Sequence, residues 1–185
     1  MKLSKVFSII KKEKELLIQE GINNAQWIGT KKAIYQISGL PTFTADNIFQ
    51  LMGVAEDKKE KFTVYENGFD IELDDMLKTD EDSHANRLHI VYGNDEYIPV
   101  STTQGLVFID GKYLEPTYDL PQLRLYERSS QSGDLYIVVK SGMWIFAVIE
   151  PIRILSRDVV GELEGVARCA KAKLSFFEGV DEDEV

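Results

Sequence analysis

The chain has 185 residues, 44% hydrophobic and 28% charged, with a formal net charge of −10; that is enough apolar material for one domain with a sizeable core, and far from the composition of disorder. The negative balance argues against a protein that coats DNA or RNA, because phosphate neutralisation by Lys and Arg supplies the affinity of such proteins. The longest apolar run, Met143 to Ile149, is far short of the ~20 residues a membrane span needs, and Lys11 to Lys14 interrupts any signal-peptide apolar region, so a cytoplasmic location is expected.

Lys5 to Glu20 reads as a first helix, with Val6, Ile9, Ile10, Leu16 and Leu17 near helical spacing, Ser4 as cap and Gly21 at the C′ position. Gln26 to Gly29 and Ala33 to Ile37 read as short strands joined through Thr30, Lys31 and Lys32. A second helix runs from its cap Thr44 through Ile48, Leu51 and Met52 to Gly53, and at about two turns it depends on packing.

Lys61 to Leu73 carries the clearest local signal, because Asn67-Gly68 supplies the two positive-φ positions of a type I′ hairpin turn. That turn pairs Val64 with Ile71 and Phe62 with Leu73 on one face, and Thr63 with Glu72 and Tyr65 with Asp70 on the other. Asp110-Gly111 repeats the device, setting Phe108 opposite Tyr113 and Val107 opposite Leu114. Leu88 to Tyr92 and Tyr97 to Ser101 flank a loop at Gly93 to Glu96, and Leu135 to Val139 and Met143 to Ile149 flank Ser141-Gly142. Pro99 inside a strand pattern predicts an edge open to a partner, and the Ser- and Gly-rich stretch Arg128 to Gly133 predicts an exposed flexible loop.

After Pro151, Ser156 caps a last helix carrying Val159, Leu163, Val166, Ala167, Ala170 and Leu174 at the helical period, with Gly161 and Gly165 read as close-packing positions. Cys169, the only cysteine, falls in that helix and is expected to be a small buried thiol; alone, it excludes an intrachain disulfide and a Cys-based zinc site. The pattern as a whole predicts an α+β fold, mainly antiparallel sheet built from hairpins, with an N-terminal and a C-terminal helix packed on it: one domain over 1–178 and an acidic tail over 179–185.

Charge is unevenly spread. Residues 1–32 carry seven Lys against three Glu, while residues 56–96 carry thirteen acids against five bases. Glu66, Asp70, Glu72, Asp74 and Asp75 concentrate beside the first predicted hairpin, where a row of carboxylates presents negative charge much as a nucleic-acid backbone does. As paired catalytic carboxylates they are less well placed, since outward charge on a strand ordinarily serves solubility. Asp80, Asp82, His84 and His89 are the best candidates for a divalent cation, because alternation in an extended segment aims Asp80, Asp82 and His84 to one side; a solvated acidic loop explains the same residues, and neither EF-hand nor HExxH spacing is present. Gly29-Thr30-Lys31-Lys32 lacks the spacing of a phosphate-binding loop, and no GxSxG frames a serine. Trp27 and Trp144, with Tyr35, Tyr97, Tyr126 and Tyr136, form either sheet packing or an interaction patch.

The passage Tyr136 to Leu155, with Val148-Ile149-Glu150-Pro151-Ile152-Arg153, resembles the closing strand of bacterial sliding clamps over about twenty residues, departing at Glu150. The resemblance implies a replication accessory with a clamp-like subdomain as one alternative, and a metal-dependent hydrolase using the Asp80 to His89 group is another. The leading expectation is a non-enzymatic interaction protein, without cofactor, that binds a protein partner through its acidic hairpin face. Its sharper form is a nucleic-acid-mimicking inhibitor of a nucleic-acid-binding enzyme, of the anti-defence (anti-CRISPR) type carried by a mobile element; direct nucleic-acid or membrane binding is not expected.

Overall fold

A computed structural model describes residues 1–21, 25–68, 71–73, 81–85, 90–92, 95–152 and 157–178, with backbone alone at 81–85, 92, 157–159 and 174–178. The chain divides into two units, Met1–Ile152 and Arg153–Val185. In the first, helix α1 (Leu3–Glu13) leads to strands β1 (Glu15–Glu20), β2 (Gln26–Gly29) and β3 (Ala33–Ile37), then helices α2 (Ala45–Met52) and α3 (Glu56–Lys59). Strands β4 (Thr63–Glu66), β5 (Glu81–Ala85), β6 (Ile90–Tyr92), β7 (Asp95–Thr102), β8 (Gly105–Asp110), β9 (Leu123–Ser129), β10 (Leu135–Ser141) and β11 (Trp144–Ile149) follow. The second unit holds helix α4 (Arg157–Glu178). The protein is α+β and mainly antiparallel, as its hairpin-rich pattern predicts.

The sheet runs β4-β1-β2-β3-β11-β10-β9-β5-β7-β6, with β8 also on β7, and β1 with β4 is its one parallel pair among the described residues. Beyond β11, Ile152 exchanges backbone hydrogen bonds with Phe108 of β8, at 3.0 and 2.7 Å. The sheet thus curls round on itself through β11, β10, β9, β5, β7 and β8. Period-2 alternation divides its side chains. Ile98, Val100, Val107, Ile109, Leu125, Ile137, Val139, Ala147 and Ile149 point to the main core, which α1 covers with Val6, Ile9 and Ile10 and α2 with Ile48, Phe49 and Met52. Leu17, Trp27, Ile34, Val138, Ile145 and Val148 point the other way, into a second cluster closed by Ile71 and Leu73. Full burial of each such side chain stabilises by about 2 kcal/mol.

The two short strands β2 and β3 and helix α2 lie where the sequence places them. Thr44 caps α2 through its hydroxyl and Gly53 ends it at φ 67°. Helix α1 is shorter than its spacing predicts and uses neither Ser4 nor Gly21 as a cap: Lys14 takes the left-handed conformation at φ 60°, and the chain continues as a strand. The adjacent pair Leu16-Leu17 is the reason, since both are fully buried on opposite faces of the sheet, which a helix cannot arrange for neighbours.

The Asn67-Gly68 hairpin does not form. β4 pairs parallel with β1, Thr63 opposite Glu15 and Glu66 opposite Ile18, and residues 71–73 are not a strand. Asn67 does adopt a positive φ of 54°, but its N–H donates to Ile18 O at 2.9 Å, so a ladder along β1 overrides local turn chemistry. Asp110-Gly111 is not a hairpin turn either: the Asp110 carboxylate accepts from Lys112 N at 3.1 Å and caps a 3₁₀ turn over Gly111–Tyr113. The hairpin there is β7 with β8, turning at Thr103-Gln104 into Gly105 at φ 104°. The β6–β7 and β10–β11 hairpins are present. In the first, Asp95 and Glu96 belong to the strand rather than the loop; in the second, Gly142 turns at φ 62°.

Pro99 sits in an interior, buried position opposite Phe108 rather than at an edge. Phe108 spends its backbone groups on Ile152, so the missing donor of Pro99 faces the β5/β6 side, where the described pairs stop at Val100 and resume at Tyr97. The exposed loop expected at Arg128 to Gly133 is present only in its second half: Arg128 and Ser129 complete β9 and Arg128 and Ser130 are buried, while Gln131, Ser132 and Gly133 form an exposed turn. In the second unit Cys169 is exposed, contrary to the expected buried thiol, and among the described residues nothing beyond chain neighbours and the helix's own backbone lies within 4 Å of a Cβ built on Gly161 or Gly165. The acidic tail from 179 lies outside the described residues.

Candidate functional site: the acidic margin beside strand β4

Of the predicted acidic residues, Asp70, Asp74 and Asp75 lie outside the described residues; Glu66 and Glu72 lie within them and are exposed. Glu66 ends β4, which closes one end of the strand order. Below it the Asn67 side chain accepts from Glu20 N at 3.3 Å, so the strand end is tied to β1 from both the backbone and the side chain. Beside it, Lys31 from the β2–β3 turn places its ammonium 3.9 Å from the Tyr65 ring centroid.

Glu72 is held differently. Its neighbours Ile71 and Leu73 are buried in the second core cluster, and its backbone carbonyl accepts from the Arg128 guanidinium, itself only 3% exposed. Alternation across an anchored segment therefore sets the Glu72 carboxylate outward. The inward-outward order of Ile71, Glu72 and Leu73 is the one the sequence predicts; the hairpin assumed to produce it is not.

Of the candidate cation ligands, Asp80 and His89 lie outside the described residues. Asp82 and His84 occupy β5, opposite Tyr126 and Ser101 respectively. Among the described residues no group of three His, Cys, Asp or Glu is placed to hold a metal ion. Gly29-Thr30-Lys31-Lys32 is a tight turn, with Thr30 N donating to Ala33 O at 2.8 Å. The aromatic residues do not share a surface: Trp27 and Tyr35 are fully buried, Tyr97, Tyr126 and Tyr136 are half-buried, and Trp144 is 61% exposed at a hairpin tip beside Met143. The Trp27 indole N–H has no hydrogen-bond partner among the described residues.

A buried polar cluster joins residues that the sequence keeps far apart. The Tyr113 hydroxyl donates to the Glu13 carboxylate, Lys112 Nζ lies 3.0 Å from Glu13 Oε1 and 2.8 Å from Asp110 Oδ2, and the Tyr35 hydroxyl donates to Tyr113 O at 2.8 Å. Burial pushes the Glu13 pKa up, but the hydrogen bonds from Tyr113 and Lys112 outweigh it, leaving the carboxyl below its ordinary range. Burial also acts to lower the Lys112 pKa, and Asp110 and Glu13 more than reverse it. Desolvation, followed by the Glu13 carboxylate, raises the pKa of both Tyr35 and Tyr113. Glu13, Lys112, Tyr35 and Tyr113 are thus held in the protonation states they have near neutrality, as in a structural clamp between the end of α1 and the 3₁₀ turn after β8. No sequence motif marks this cluster; its members meet only through the fold.

No helix among the described residues is long and apolar enough to cross a membrane. Comparison with protein-family models, with curated proteins and with solved structures finds no match to this chain.

Proposed function

We propose that the chain is a non-enzymatic interaction protein that binds a basic surface of a partner macromolecule through the acidic stretch beginning at Glu66. The observation that carries this reading is the anchoring of Glu72: buried Ile71 and Leu73 on either side, with Arg128 on its carbonyl, fix a carboxylate at the surface. Charge held in place loses little conformational freedom on binding, whereas a flexible acidic loop must be ordered first. The thirteen acids of residues 56–96 supply the field that steers a basic partner. In its sharper form the partner is a nucleic-acid-binding enzyme whose phosphate-binding groove the acidic stretch occupies.

The test is affinity capture from lysate with the full chain and with a variant reversing Glu66, Asp70, Glu72, Asp74 and Asp75 to Lys. The wild-type chain is expected to retain a partner in a salt-sensitive way that the variant loses, and the captured enzyme is expected to release labelled duplex DNA when the wild-type chain is added. Equal capture by both chains rules the acidic surface out. Capture without DNA competition retains the interaction and removes the mimicry.

A further inference from the structure

We infer that the outer edge of β4 is a strand-addition site that takes an extended segment of a protein partner, antiparallel to β4 and with Lys or Arg beside Glu66; this rests on the basic partner proposed above and adds how that partner is held. Thr63 N donates to Lys14 O and Asn67 N to Ile18 O, both at 2.9 Å. Alternation along the strand therefore turns the N–H and C=O groups of Val64 and Glu66 away from β1. β4 closes its end of the strand order, so these groups pair with no strand among the described residues. Both side chains are exposed, Val64 at 39%. Thr63-Val64-Tyr65-Glu66 also lacks the devices that guard edges: it holds no Pro and no Lys, its register against β1 runs without a bulge, and three of its four residues are strong strand formers.

Donors and acceptors repeating at every second residue match another extended backbone, and the side chains select which one. Val64 lies on the sheet face of Leu16, with Glu66, and Tyr65 on the face of Leu17. On the first face an apolar residue opposite Val64 and a base opposite Glu66 complement the edge. Exposed Glu20, whose N–H donates to the Asn67 side chain, adds a second carboxylate at that end. Exposed Lys61 precedes the other end of β4 and repels a base there. On the second face Lys31 already lies over the Tyr65 ring, so an uncharged residue fits beside it. Antiparallel pairing, the stronger of the two ladders, gives the partner the order Lys-x-Val, with x uncharged.

The probe is the acetylated and amidated peptide Thr-Lys-Thr-Val-Thr, titrated into the full chain and followed by amide NMR. Saturable shifts are expected at Val64 and Glu66, larger than at Thr63 and Tyr65, whose N–H groups face β1. Val64→Pro removes an outward N–H and leaves the bonds to β1 in place; it is expected to weaken binding at least about tenfold with circular dichroism unchanged. N-methylation of the peptide at Lys and Val, or replacement of its Lys by Glu, is expected to weaken binding equally. Absence of saturable shifts overturns the inference, as does undiminished binding by Val64→Pro, by the N-methylated peptide or by the Glu peptide. In the lysate capture, a partner lost by the charge-reversed chain but kept by Val64→Pro overturns the strand site and spares the acidic surface. Peptide binding alongside capture that the charge-reversed chain retains removes the acidic surface as the partner's contact and supports the strand site.

Discussion

Gly29 has no room for a side chain. A Cβ built on it meets Ala33 O at 2.0 Å and Ile34 Cα at 2.8 Å, backbone atoms of the strand it pairs with, which no rotamer change can move aside. Gly29→Ala is expected to destabilise the first unit by about 3 kcal/mol or more, the upper end of overpacking costs, read as a shift in the urea midpoint; Gly142→Ala, where nothing lies within 4 Å, serves as the comparison and is expected to carry only the smaller penalty of its positive φ. Residue-scale features of this kind are legible in the sequence when they are local. Thr44 caps α2 and Asn67 takes a positive φ because the chemistry depends on neighbours within three residues. Lys14 was not legible as a helix end, because its left-handed conformation answers to the burial of Leu16 and Leu17 on two faces of a sheet that the sequence does not display.

Elements assembled from nearby strands follow their patterns, and those assembled from distant ones do not. β2, β3, β10 and β11 occupy their expected positions, whereas β4 takes a strand from far upstream as its parallel partner and β9 had no turn signal to announce it. Part of the acidic site was legible by the same logic: the alternation of Ile71, Glu72 and Leu73 holds, while Arg128, which fixes Glu72 from another strand, does not appear in any local pattern. The β7–β8 hairpin supplies an element-scale test. Glu127 of β9, 6% exposed, accepts from Thr103 N at 2.6 Å and from the Thr103 hydroxyl, clamping the turn from an adjacent part of the sheet. Glu127→Ala is expected to cost about 1–3 kcal/mol through the loss of charge-assisted bonds. The accompanying signature is faster hydrogen exchange at the Thr103 amide; protection there equal to wild type would show that the hairpin holds its own turn.

Across the whole first unit, the clamp of Glu13, Tyr113, Lys112 and Asp110 ties α1 to the turn after β8, and it gives stability a definite pH dependence. Glu13 has a native pKa below its ordinary 4.5, so its contribution is complete above that value and drains away as pH falls through the native one. Lys112, Tyr35 and Tyr113 are shifted upward, so theirs is complete below their ordinary values and is lost as pH rises through the native ones. Urea unfolding from pH 2 to 7 is expected to show an acid limb in the wild-type chain that Glu13→Gln flattens, the two chains differing most above pH 5. A constant difference across that range would remove Glu13 from the acid response.

The junction of Phe108 with Ile152 has a consequence for the birth of the protein. A ribosome delivers β8 well before it delivers the residue that caps the outer edge of β8, and β4 long after β1. During synthesis β8 therefore carries an unsatisfied backbone edge, the kind of surface that captures other nascent chains. Pairings this distant in sequence also make for slow folding once the last strand arrives. The chain is thus most exposed to misassembly in the interval before Ile152 emerges, and a holding chaperone is most useful to it then.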